Sequence, residues 1–126
     1  MKRALLLLAL AATAHAAPPD SFWRALHLVE TSGRTGPILG DAGKALGPLQ
    51  IHRAYHADSR VGGDYSRVAD LDYSRRVVSA YLQRYAPAAW AAGDVKTLAR
   101  VHNGGPRGAS KPATVAYADK VARISK

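Results

Sequence analysis

At 126 residues the chain has room for one domain, and with no cysteine it can form no disulfide, so packing alone must hold that domain together. Its 18 Lys+Arg against 9 Asp+Glu give a formal net charge of +9, which points to a polyanionic partner. Neither a G-x-S-x-G elbow nor an H-E-x-x-H pattern is present, which removes the serine hydrolases built on that elbow and the zincins.

The chain opens on Met1-Lys2-Arg3, continues through an apolar run over Ala4 to Ala14, and reaches a small-x-small site at Ala14-His15-Ala16. This is the pattern of a secretory signal over residues 1–16, too short for a membrane span. It predicts an exported protein, periplasmic or secreted, with one domain over 17–126. Lys2 and Arg3 would leave with the signal, so 16 Lys+Arg against 9 Asp+Glu would remain, a net charge near +7. Outside the cell membrane the available polyanion is cell wall rather than nucleic acid. A basic surface that serves only solubility is the plainer alternative.

Asp20 or Ser21 can cap a first helix through Glu30, with Phe22, Ala25, Leu26 and Val29 on one face. Residues 31–42 are rich in Gly, Pro and Ser and read as loop, with room for a short β excursion around 31–46. Gly47-Pro48 is expected to start a second helix from Leu49 to about His56, with Gln50 projecting from its first turn. Asp70 caps the clearest helix, which runs to about Tyr85 on a stripe of Tyr73, Val77 and Tyr81 and ends at Pro87. Asp94 caps another, stopped at Asn103-Gly104-Gly105-Pro106, and Pro112 suits the first turn of a last one. The class is mainly α with a small β element, an α+β fold.

Glu30 is the only glutamate in the sequence. It stands at the C-terminal end of an apolar helix, where the helix dipole and poor solvation both raise a carboxyl pKa. A raised pKa suits a general acid near neutral pH. Asp41 follows eleven residues later, between Gly40 and Gly43, in a loop that leaves a carboxylate open to solvent. Two carboxyls in unlike surroundings are the pattern of glycoside hydrolysis: one protonated donor, one ionised partner. The structural alternatives are a solvated glutamate at a fraying helix end and an aspartate that bonds its own turn. Gln50 could bond sugar hydroxyls or act as a cap. His102-Asn103-Gly104-Gly105-Pro106 offers an imidazole, an amide and free backbone amides, or merely a helix stop. His52 and His56 have i, i+4 ligand spacing, but no third ligand accompanies them, so no metal is expected and they read as surface residues.

Taken in order, Glu30-Thr31-Ser32-Gly33, Asp41-x-Gly43, Gly47-Pro48-x-Gln50-Ile51, Tyr81-x-x-Arg84-Tyr85, Ala99-Arg100-x-His102-Asn103-Gly104-Gly105-Pro106-x-Gly108 and Tyr117-x-x-Lys120-Val121 resemble the invertebrate-type (i-type) lysozymes, the destabilase family. The resemblance runs from about Leu26 to Ile124. It implies a lysozyme-like fold and hydrolysis of the β-1,4 bond between N-acetylmuramic acid and N-acetylglucosamine in peptidoglycan, with no cofactor. Glu30 falls on the family's acid and Asp41 on its second carboxylate. Gln50, Ile51, His102, Asn103 and Gly104 fall on or beside positions expected to line the sugar groove. Ser32 and His102 are the nearest match to an isopeptidase pair proposed for some members. The family is disulfide-rich, and here Arg34, Leu46 and Ala109 stand where half-cystines are expected. One residue is gained between Glu30 and Gly33, and one is lost between Asp41 and Gly47.

A retaining muramidase of this kind would hold its two carboxyls on the order of 5 Å apart. A looser similarity, Glu-x-Ser-Gly followed by G-x-x-Q-I, extends to lytic transglycosylases, which need the glutamate but no essential aspartate. A wall-binding module without activity is the non-enzymatic reading, and killing by charge alone is a further one.

Overall fold

The computed structural model describes residues 17–126, so the expected signal over 1–16 lies outside the described residues. Among the described residues six helices carry the fold: α1 (Asp20–Thr31), α2 (Arg53–Ser59), α3 (Leu71–Tyr85), α4 (Pro87–Ala92), α5 (Val95–Gly104) and α6 (Val115–Ile124). Between α1 and α2 lies a three-stranded antiparallel sheet in the order β1 (Leu39–Gly40), β2 (Ala45–Leu46), β3 (Ile51–His52). Short 3-10 turns fill the connections at Tyr65–Ala69, Gly108–Ser110 and Pro112–Thr114. The mainly α class with a small β element is what the sequence pattern predicts.

The helices meet around one apolar core. Phe22 and Leu26 of α1, Val77, Val78 and Leu82 of α3, Leu98 of α5 and Val121 of α6 are fully buried. Each side chain of that size contributes about 1.5–3 kcal/mol when removed from water, which is how a chain without disulfides stays folded. Trp23 closes one end, edge-on to Phe22 and Trp90, with the Arg75 guanidinium 4.8 Å from its ring centroid. α5 packs against α6, and α6 against α1, so the C-terminal half of the chain is brought beside the end of the first helix.

The caps follow local chemistry where the sequence supplies an aspartate. Asp70 accepts from the Tyr73 amide at 2.8 Å, and Asp94 accepts from the Thr97 amide at 3.2 Å and from the Thr97 hydroxyl at 2.7 Å. At α1 the expectation needs correction. Pro19 is the cap and makes no side-chain bond, while Asp20 already sits in the first turn, where its charge favours the dipole. Pro87 ends α3 and, as first residue of the next element, also begins α4.

The expected helix over Leu49–His56 also needs correction. Gln50 adopts φ +53, and Ile51-His52 are extended and pair with Ala45-Leu46, so helix begins only at Arg53. Gly47 explains the change. Its φ is +84, and a Cβ there would lie 2.0 Å from the Val68 carbonyl oxygen. The chain therefore turns tightly against the 3-10 turn before the strand, and the ladder outweighs helical propensity. Leu46 pairs with Ile51, and Gly40 with Ala45, around a loop in which Asp41 and Ala42 both have positive φ.

Candidate active site

A groove of about 720 Å³ runs between the hairpin and the C-terminal end of α5. Glu30, Asp41, Gln50, His102 and Asn103 all line it, joined by His52, Tyr55, Asp58 and Tyr81. Five of the seven expected site residues thus come together. The other two do not. Ile51 is fully buried because, on β3, its side chain points into the core. Gly104 packs instead: a Cβ there would come within 2.5 Å of Thr114 Cγ2, and its carbonyl accepts from Lys111 Nζ at 2.6 Å.

Glu30 reaches the groove from the last turn of α1, with 16% of its side chain exposed. Burial raises its pKa above the ordinary carboxyl value, and this outweighs a hydrogen bond from Tyr117 and the field of His52, which both lower it. Tyr117 on α6 donates its hydroxyl to Glu30 Oε1 at 2.5 Å. Burial and the adjacent Glu30 hold that phenol well above its usual pKa, so it stays a donor.

His102 Nε2 lies 3.8 Å from the same Glu30 oxygen. That spacing suggests an ion pair, but burial pushes the imidazole down to about 4, against a smaller upward effect of a backbone hydrogen bond with Leu49. A neutral ring with 3% side-chain exposure is the better account at neutral pH, and the contact is dipolar. Nδ1 faces the Tyr55 hydroxyl at 2.9 Å, and Tyr55 stacks on Tyr81 with ring centroids 3.6 Å apart. Because His102 brings no positive charge, it does not offset the burial that raises Glu30.

Asp41 has opposite surroundings. It sits at φ +50 in the hairpin loop, 63% exposed, with its Oδ2 3.1 Å from His52 Nε2. The hairpin that carries this loop is fastened at its open end by Gln50, whose Nε2 donates to the Ile38 carbonyl at 3.1 Å and the Gly47 carbonyl at 3.0 Å. Gln50 therefore fastens the hairpin rather than projecting from a helix. Gly40 makes this possible, since a Cβ there would lie 1.9 Å from Gln50 Oε1.

His52 and His56, which share ligand spacing in the sequence, separate in the fold. His52 bonds Asp41 from β3, and His56 on α2 bonds the Tyr73 hydroxyl at 2.7 Å. Ser32, at the left-handed C-cap of α1, is absent from the walls of the groove that holds His102. Tyr55 and Asp58 carry no motif that would have marked them as groove residues. Tyr117 does stand in the resemblance to the i-type lysozymes, but nothing local links it to a glutamate 87 residues away.

This groove can be set beside known proteins. The chain is 37% identical over 83 residues to a lysozyme of Meretrix lusoria, an alignment that takes in 64% of this chain and 68% of that one. The chain belongs to the invertebrate-type lysozyme family. It is also 38% identical over 76 residues to a lysozyme of Ostrea edulis, covering 58% of this chain and 55% of that one. With Lysozyme 1 of Crassostrea virginica it shares 40% over 75 residues, 58% of this chain and 41% of the relative. The aligned segment thus spans about half the length of these two relatives. Among solved structures, inhibitor-bound lysozyme from Meretrix lusoria has a TM-score of 0.71 at 28% identity, covering 85% of this chain and 90% of that one. Tapes japonica lysozyme follows at 0.68 and 28%, covering 83% and 91%. No family model matches the chain. The i-type lysozyme fold is thus kept in a chain without cysteine.

Proposed function

We propose that this i-type lysozyme is an exported muramidase that hydrolyses the β-1,4 bond between N-acetylmuramic acid and N-acetylglucosamine in peptidoglycan. One observation carries the reading: the single glutamate, mostly buried and with its pKa raised, shares a groove with an exposed aspartate. The relatives' names agree with it.

Glu30 is the general acid. Tyr117 engages Oε1, which leaves the other carboxyl oxygen to carry the proton toward the groove. That proton passes to the glycosidic oxygen as the bond to C1 breaks, and Asp41 stabilises or attacks C1 from its open loop. Glu30, now a carboxylate, takes a proton from the water that completes hydrolysis with retention at C1. Asn103 and the backbone near Gly105 supply polar contacts for acetamido groups along the groove. No helix among the described residues is long and apolar enough to cross a membrane. Export rests on residues 1–16, and cell wall is the partner that a net charge near +7 would meet outside the membrane.

The test is mass spectrometry of muropeptides released from purified peptidoglycan by residues 17–126, with Glu30→Gln alongside. Reducing muramic ends from the wild type alone are expected. Unchanged release by Glu30→Gln would end this reading. A second reading is favoured by the His52 contact, which occupies one oxygen of an exposed Asp41. In a lytic transglycosylase Glu30 would act alone, Asp41→Asn would be tolerated and anhydro-muramic ends would appear.

A further inference from the structure

Beyond the Asp41–His52 pair lies a second pocket of about 460 Å³, on the other side of the hairpin. His52 and Ala54 line both this pocket and the groove, so the two adjoin across these residues. Its remaining walls include Leu39, Lys44, Arg53 and Tyr65. Leu39 is 67% exposed, the most exposed of the large hydrophobics among the described residues. The Arg53 guanidinium lies 4.6 Å from the Tyr65 ring centroid. The side chains of Lys44 and Arg53 make no ion pair with any described residue. Asp64 feels the field of Arg53 but forms no ion pair with it.

Two cations without an ion pair beside an exposed leucine, next to a sugar groove, fit a ligand with carboxylates and small methyl groups that is attached to the sugar itself. We propose that this pocket receives the acidic peptide stem that peptidoglycan carries on its muramic sugar. The proposal deepens the muramidase reading and rests on it for the placement of the glycan. Lys44 and Arg53 meet the stem carboxylates, and Leu39 meets its alanine methyls. A free polyanion such as a phosphate polymer matches the charge, but not the leucine or the covalent link to the groove.

The test measures binding in Glu30→Gln protein, which should hold glycan without turning it over. The probes are soluble peptidoglycan strands with intact stems and the same strands stripped of stems by an amidase. Stem-bearing strands are expected to bind about tenfold more tightly, equivalent to about 1.4 kcal/mol. This preference should vanish in Lys44→Ala/Arg53→Ala and shrink with added salt. Equal binding of both strands by the parent, or a preference that survives the double substitution, would overturn the proposal. Hydrolysis of both strands by the wild type is followed in parallel. A wild type that cleaves neither sinks the muramidase reading, while the binding comparison still decides the pocket.

Discussion

Glu30 owes its character to residues from three helices. α1 delivers it, Tyr117 on α6 holds one oxygen, and the neutral ring of His102 on α5 helps wall it from water. Tyr117→Phe removes a bond that lowers the Glu30 pKa, so the acid form should persist to higher pH. The alkaline limb of the rate profile is expected to move upward, with kcat reduced because the carboxyl loses its orientation. A profile that stays in place while the rate falls would reduce Tyr117 to packing. The lone glutamate is legible in the sequence because composition singles it out. Tyr117 is not, since the bond it makes depends on how α6 docks on α1.

The hairpin is where element-level reasoning falls short. Gly47-Pro48 suggests a helix from Leu49, yet the fold places a turn and then the strand Ile51–His52 there. A two-residue strand has too few positions to show a period of two, and its pairing with Ala45-Leu46 depends on a turn that Gly47 makes against the distant Val68 carbonyl. By contrast α3 and α5 follow their aspartate caps to the residue, because those signals are local. Gly40→Ala tests how the hairpin is held. The added methyl would displace the Gln50 amide and break its bonds to Ile38 and Gly47. Each bond contributes about 0.5–1.5 kcal/mol, so a loss of about 1–3 kcal/mol is expected in denaturant unfolding. Activity should fall as well, because the hairpin that carries Asp41 loses its brace. A Gly40→Ala protein that keeps both stability and activity would show that the Gln50 brace does not hold the hairpin in place.

At the scale of the whole molecule, two buried groups act on stability in opposite directions. His102 is held at about 4 against an ordinary 6.5. The unfolded chain therefore binds its proton first, and about 3 kcal/mol of stability, complete above pH 6.5, is lost as pH falls toward 4. Glu30 is raised above 4.5, so the stability it contributes is present below that value and lost as pH rises through its folded pKa. Glu30→Gln should thus be more stable than the wild type at neutral pH and level with it in acid, while inactive throughout. His102→Asn should flatten the acid limb. Tm followed from pH 3.5 to pH 8 for the three proteins checks both signs. An unchanged acid limb in His102→Asn would assign that limb to the exposed carboxylates.

The sequence by itself determines the helical class, the capped limits of α3 and α5, the absence of disulfides, the basic charge and the uniqueness of Glu30. Each is a matter of composition or of contacts within a few residues along the chain. The tertiary structure alone decides that Glu30 meets Tyr117 and His102, that Ile51 and Gly104 turn away from the groove, and that Gln50 fastens the hairpin. Burial and docking set those outcomes, and both depend on residues far apart in sequence that share a core only once the chain has folded.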